Sequence, residues 1–275
     1  MSHAPRCLIL DLEAKPAHGD EPARILKIGA LRPDTGATLE VGLGRDPGAA
    51  LRQLESLTAG ASFVLGHNLI EHDLPLLRAL APTAGALALP VVDTLHLSPL
   101  AFPQNPYHRL IKNYKLIHDS LNSPLADCRA TLTLFGDQQA AFARLATTHP
   151  QELRSYHALL APRPGAGLGN VFLALTRQPA PTPDEIASWL PELLAENDPT
   201  LQRALKVCRT RLAALAAELA AGATALHWPL AYTLAWLRVS GGNSVLAPWV
   251  HHQFPRVGQL IRELRDTPCG QPGCE

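Results

Sequence analysis

The first part of the chain alternates short apolar runs with turn signals. Cys7–Leu12 and Arg24–Leu31 are apolar runs, and Ala37–Leu43 alternates apolar and polar positions. The stretches Pro16–Gly19 and Pro33–Gly36 lie between them and have the composition of tight turns. Three consecutive strands with short connections predict an antiparallel meander.

After Pro47 the apolar pattern becomes typical of helices alternating with strands. Leucine-rich stretches at 50–57 and 74–80 predict helices, and short apolar runs at Ser62–Leu65 and Pro90–Asp93 predict two further strands. Another helix is predicted to start at Ser123–Pro124, with the serine as N-cap and the proline at the first helical position. A meander followed by βαβα units predicts an α/β fold, a mixed sheet flanked by helices.

The strand pattern stops at Thr147. Apolar residues spaced by four and three positions predict one helix of about six turns that opens at Asp198–Pro199. Its apolar stripe consists of Leu201, Leu205, Cys208, Leu212, Leu215 and Leu219. Shorter helices are predicted around Leu230–Val239 and Val257–Leu264. We therefore expect two domains, with residues 1–146 forming the α/β domain and residues 147–275 an all-α domain.

Composition narrows the class of protein. The 275 residues are 47% hydrophobic and 17% charged, so the chain can bury a sizeable core. Lys and Arg number 24, as do Asp and Glu, which argues against a generally basic nucleic-acid coat but allows a local basic groove. The chain has no long apolar run, which argues against a membrane span. Charged residues near its start argue against a signal peptide. Five scattered cysteines favour reduced thiols and a cytoplasmic location.

Four acidic residues lie where a core strand or helix does not need them. Asp11 and Glu13 end the first strand two positions apart, so their side chains share a face of the sheet. Asp73 follows a predicted strand, and Asp127 lies one turn into the helix that starts at Ser123. Paired carboxylates repel one another unless cations neutralise them, and hard oxygen ligands suit Mg²⁺ or Mn²⁺.

Three short motifs over roughly residues 6–145 resemble those of the DEDD superfamily of 3′–5′ exonucleases, which have the ribonuclease H-like fold. Asp11–Ala14 is similar to the first motif. His67–Asn68, followed by His72–Asp73 and the run LPLL, is similar to the second, and LADCRAT around Asp127 to the third. Their order on the β/α pattern matches the family.

The resemblance implies which residues carry the activity. By analogy, Asp11, Glu13, Asp73 and Asp127 would be catalytic and hold two Mg²⁺ or Mn²⁺ ions. The backbone near Ala14 would face the 3′ end of the substrate. Asn68, in the second motif, is a further predicted nucleic-acid contact.

The chain departs from the family at the proton acceptor. Family members place a His five residues, or a Tyr four residues, before the last Asp, and these positions are Asn122 and Ser123 here. Neither accepts a proton near neutral pH. His118 could serve as the base from the preceding loop, or Asn122 could orient a water that metal ionises. The third alternative is a slow or inactive enzyme that still binds strand ends.

A second, narrower resemblance covers the stretch NPYHRLIKNYKL from Asn105 and LNSPLAD from Leu121. It is similar to an exonuclease-like segment fused ahead of RecQ-type DNA helicases in bacteria, and implies a role in DNA repair or recombination beside a helicase. The same stretch mixes aromatic and cationic side chains without an acidic one, as single-strand-binding surfaces do. Predicted nucleic-acid contacts there are Tyr107, Arg109, Lys112 and Lys115, with a solvated helix face as the alternative.

Cys269 and Cys274 lie among the last seven residues of the sequence, with four residues between them. They could form half of a four-ligand Zn²⁺ site that later residues complete in a longer chain. Together, these observations predict a metal-dependent 3′–5′ exonuclease acting on DNA, without a membrane partner. The alternative is a catalytically weak or inactive DNA-end-binding module that positions a helicase, and an RNA substrate also stays open.

Overall fold

A computed structural model describes residues 4–19, 21–44, 46–105, 108, 123–160, 167–193, 207–239, 246–267 and 270. The chain forms two compact units. The first comprises residues 1–96, 109–137 and 165–167, and the second residues 97–108, 138–164 and 168–275. This division differs from the single boundary after residue 146 expected from the sequence, because one continuous helix, residues 124–148, contributes to both units.

The first unit contains a five-stranded mixed sheet. Its strands are β1 (Cys7–Lys15), β2 (Arg24–Leu31), β3 (Thr38–Gly42), β4 (Phe63–Gly66) and β5 (Val91–Asp93), in the order β3-β2-β1-β4-β5. β2 pairs antiparallel with both β1 and β3, whereas β4 pairs parallel with β1 and β5. The predicted meander and the α/β class are confirmed.

Helices follow the strands much as the apolar pattern predicts. They are α1 (Pro47–Thr58), α2 (Leu74–Leu80), α3 (Thr94–Ala101) and α4 (Pro124–Thr148). The apolar pattern did not predict α3. A π-helical turn, Leu69–Asp73, leads directly into α2. Ser123 caps α4 as predicted, since its Oγ accepts the Ala126 N–H at 3.2 Å and Pro124 is the first helical residue.

The two faces of the sheet have different partners. Leu8, Leu10 and Leu12 of β1 belong to a buried cluster with residues of α1 and α2. The alternate residues of β1 face α4, where the Cys128 thiol donates to the Ile9 carbonyl at 3.7 Å. Asp11 and Glu13 continue that second series, so they emerge on the α4 face.

Gly29 sets how closely α4 approaches the sheet. A Cβ at this position of β2 would lie 2.4 Å from the Pro124 carbonyl carbon and 2.6 Å from the Leu125 nitrogen. No side chain fits at these distances, and the obstructing atoms are backbone. Because Gly29 pairs with Asp11 across the β1–β2 ladder, the first turn of α4 lies directly beside the acidic end of β1.

The described residues of the second unit after α4 form helices and no strand. The helices are α5 (Pro150–Leu160), α6 (Leu168–Thr176), α7 (Pro183–Leu193), α8 (Arg209–Ala220), α9 (His227–Val239), α10 (Pro248–Gln253) and α11 (Pro255–Ile261). An ion pair joins α5 to α9: the Arg238 Nε lies 2.9 Å from the carboxylate of Glu152, which also accepts the Tyr156 hydroxyl. Within the described ranges, no helix has the length and apolar character needed to cross a membrane.

The predicted six-turn helix from Asp198 is wrong at Cys208. Residue 208 has extended backbone, and α8 begins only at Arg209. The Cys208 N–H donates to the Leu264 carbonyl at 2.8 Å, so a tertiary hydrogen bond replaces the one that a continuous helix would form. Positions 198–206 of the predicted helix lie outside the described residues. The shorter helices predicted near 230–239 and 257–264 are confirmed.

We expect Gly29→Ala to destabilise the protein by about 1–3 kcal/mol, because the added methyl collides with the backbone of α4. The matched control is Gly136→Ala, within α4, where a Cβ meets nothing within 4 Å. That variant should gain about 0.5–1 kcal/mol from helix propensity. Urea unfolding followed by circular dichroism measures both, and equal effects from the two alanines would contradict the close approach.

Candidate metal centre

Three carboxylates from two elements meet beside the end of β1. Asp11 and Glu13 leave the strand on one face, and Asp127 leaves the first turn of α4. One oxygen from each lies within 4.8 Å of the other two, and all three side chains are partly buried. Like charges at this spacing repel strongly unless a cation lies among them.

The local sequence explains how Asp127 reaches this point. Ser123 and Pro124 start α4 beside Gly29, and the Asp127 N–H donates to the Ser123 carbonyl at 3.2 Å. Asp127 therefore occupies the first turn, where an aspartate is also favoured by the helix dipole. Sequence reasoning missed the role of Gly29, although a glycine inside a strand is itself a signal of close backbone approach.

Asp73 has a different position from the other three. It is buried, and its Oδ1 accepts the N–H of Leu12, the residue between Asp11 and Glu13, at 2.7 Å. Burial raises the pKa of this carboxyl above its usual range, opposed by the contact with His72 and the Leu12 hydrogen bond. The structure thus brings three of the four predicted residues into one cluster and attaches the fourth to the backbone between two of them.

Cys128 lies close enough to report on this arrangement. Burial raises the pKa of its thiol well above the usual range, and the negative charges of Asp11, Asp73 and Asp127 add to the shift. Of these three carboxylates, Asp11 and Asp127 belong to the three-residue cluster and Asp73 does not.

Asp93 is a structural residue that sequence reasoning missed. Its carboxylate accepts the backbone N–H groups of Asn68, Ile70 and Leu95 at 2.9, 3.0 and 2.9 Å. These bonds hold Asn68 in the left-handed conformation, with φ of 62°, from which the π-helical turn leads to Asp73. The signal was an acidic residue at a strand end directly before a helix, the usual place for a carboxylate that caps backbone amides.

The two histidines of the second motif have separate environments. The Nδ1 of His67 lies 2.9 Å from the Thr94 Oγ1, which in turn donates to the Gly66 carbonyl, so His67 is part of the packing below the site. His72 is half exposed, with its Nδ1 3.7 Å from the Asp73 Oδ2. Contact with Asp73 raises the pKa of His72, and the charges of Asp11 and Glu13 raise it further.

The other predicted contacts divide into two groups. Ala14 lies at an irregularity in the β1–β2 pairing, next to Glu13, and Asn68 precedes the turn to Asp73. The remaining predicted residues lie outside the described part of the chain: Tyr107, Arg109, Lys112, Lys115, His118, Asn122, Cys269 and Cys274.

The donor set fits a hard divalent cation. Asp11, Glu13 and Asp127 offer only carboxylate oxygens, the ligands preferred by Mg²⁺ and Mn²⁺, and no thiol belongs to the cluster. The cluster can therefore hold a metal ion.

Comparisons of the chain with protein-family models, curated proteins and solved structures find no match.

We expect Mn²⁺ to raise the melting temperature of the protein and to lose this effect in Asp11→Asn. A free Mn²⁺ concentration of about 100 times its Kd corresponds to about 2.7 kcal/mol of added stability. In EDTA the same variant should melt at or above the parental temperature, because one of the repelling charges is gone. Asp137→Asn, an exposed aspartate of α4, is the control and should respond to Mn²⁺ like the parent; a retained response in Asp11→Asn would contradict the centre.

Replacing Asp73 should lower the stability of the protein in EDTA, whereas replacing Asp11 should not. Asp73→Ala leaves the buried Leu12 N–H without an acceptor, which costs about 1–3 kcal/mol. Asp73→Asn keeps a carbonyl oxygen for that N–H and should lose less. Urea unfolding of both variants measures the difference, and an unchanged Asp73→Ala protein would show that the Leu12 bond carries no stability.

Proposed function

We propose that this protein is a divalent-metal-dependent 3′–5′ exonuclease that acts on DNA. The observation that carries the proposal is the convergence of Asp11, Glu13 and Asp127 at the end of β1. The strand arrangement, a meander continued by two parallel strands, supports the ribonuclease H-like assignment with an appended helical domain. The comparisons with known proteins neither support nor oppose this assignment.

The proposed chemistry divides between metal and protein. Asp11, Glu13 and Asp127 would hold two Mg²⁺ or Mn²⁺ ions, and Asp73 fixes the backbone between the first two through Leu12. When bound, such ions would supply the charge that activates a water and stabilises the departing 3′ oxygen of a phosphodiester. The irregular pairing at Ala14 presents backbone beside the cluster, where the strand end of the substrate would lie.

The proton acceptor separates this proposal from its alternative. The Ser123 hydroxyl, at the sequence position where family members have a tyrosine, accepts the Ala126 N–H and caps α4. This observation favours the second candidate, a weak or inactive module that binds DNA ends and positions a helicase in repair or recombination. In the enzyme, Asn122 would orient the attacking water beside the held metal, or His118 would accept its proton.

The proposed exonuclease should shorten 3′-labelled single-stranded DNA only with Mg²⁺ or Mn²⁺. Asp11→Asn should lower the rate by more than about 100-fold, beyond the range for residues that only support a metal ligand. Asp137→Asn should keep the parental rate. Gel electrophoresis of timed digests measures both, and a parallel digest of RNA of the same sequence identifies the preferred substrate.

Two results would change the conclusion. Metal-dependent DNA binding without digestion by the parental protein would establish the end-binding alternative. Digestion by Asp11→Asn at the parental rate would remove the three-carboxylate cluster from the reaction altogether.

A further inference from the structure

An apolar groove lies on the first unit, on the side of the sheet covered by α1 and α2. The groove is open to solvent and has a volume of about 580 Å³, within the range of small-molecule sites. The first residues of β2 and the segment after β3 form one wall, and the last turn of α2 forms the other. Its apolar side chains include Leu26, Leu43, Pro47, Leu76, Ala79 and Leu80. The acidic cluster emerges on the opposite, α4 face of the sheet.

A bulge in β2 directs Leu26 into this groove. Glu13 pairs with Lys27 and Ala14 with Ile25, so Leu26 has no partner on β1. Ile25 is buried and Leu26 is 43% exposed, although both are large apolar residues. Bulges re-aim side chains in this way. The bulge therefore keeps the Leu26 side chain exposed to solvent.

The exposed leucines are concentrated here. In the described residues, the exposed large apolar side chains are Leu26, Leu80 and Leu173, and the first two line the groove. A contiguous exposed apolar patch indicates an interaction site, whereas a scattered leucine such as Leu173 does not.

The charge of the lining restricts the partner. Arg24 is its single charged residue among those described. The neighbouring Glu21 pairs with Lys15 at 2.8 Å, and Arg24 makes no ion pair within the described ranges. A cation beside leucines, with no acidic lining residue, is complementary to a segment that carries a carboxylate next to bulky apolar side chains.

We propose that this groove binds an extended segment of a partner protein in which acidic residues adjoin bulky apolar ones. β3 pairs with β2 only as far as Lys27, and the Leu43 N–H donates to the Leu26 carbonyl. The edge of β2 before Leu26 therefore borders the groove and can pair with an extended chain. One cation in an apolar lining does not suit nucleic acid, which requires several phosphate contacts.

Fluorescence anisotropy with a labelled synthetic peptide tests the proposal. The peptide carries several aspartates followed by leucines, and the full 275-residue chain is titrated against it. We expect saturable binding with Kd of about 1–100 μM. Leu26→Ser and Leu80→Ser should each weaken it about tenfold, while Leu173→Ser, the exposed leucine outside the groove, should leave it unchanged.

A second set of binding measurements reverses the charge at Arg24 and in the peptide. Arg24→Glu should weaken the aspartate peptide about tenfold and improve a peptide with lysines at the same positions, whereas Arg144→Glu on α4 should do neither. Equal binding of the aspartate and lysine peptides by the parent, or unchanged binding by Leu26→Ser, would overturn the proposal. So would a dimer of the parental chain that Leu26→Ser dissociates in sedimentation, since a second copy would then be the occupant.

Discussion

The candidate centre depends on the close contact between the first turn of α4 and strand β2 at Gly29. Without a side chain at that position, the backbone of Pro124 packs against the strand, and Asp127 arrives beside Asp11 and Glu13. The buried Cys128, one position later, anchors the same turn to β1 through the Ile9 carbonyl. A methyl group at residue 29 would collide with the backbone of Pro124, so this contact requires glycine.

A second layer of carboxylates supports the first. Asp73 and Asp93 are buried and accept backbone N–H groups, so they order the backbone instead of presenting charge to solvent. Asp93 fixes the left-handed turn at Asn68, the turn leads to Asp73, and Asp73 fixes Leu12 between the two outer acids. Removing a buried acceptor leaves a backbone N–H unsatisfied and destabilises the protein, so this layer supports the position of outer carboxylates that repel one another.

The sheet separates two sites with different chemistry. Alternation along β1 sends Leu10 and Leu12 into the α1–α2 side and Asp11 and Glu13 to the α4 side. The bulge at Leu26 affects both sides: it interrupts the ladder beside Glu13 and Ala14, and it exposes a leucine to the groove. A partner bound in the groove would therefore contact the strand that borders the acidic cluster without entering its side of the sheet.

The sequence by itself determined the strands, most helices and the acidic candidates, because period, turn residues and the Ser123–Pro124 cap are local signals. It also determined that Asp11 and Glu13 share a face, since strand geometry alone requires it. Tertiary structure decided that Asp127 joins them and that Asp73 instead bonds to Leu12, because both depend on distances between separate elements. It likewise interrupted the predicted helix at Cys208, whose N–H donates to the Leu264 carbonyl, although the apolar stripe continues with regular spacing into α8.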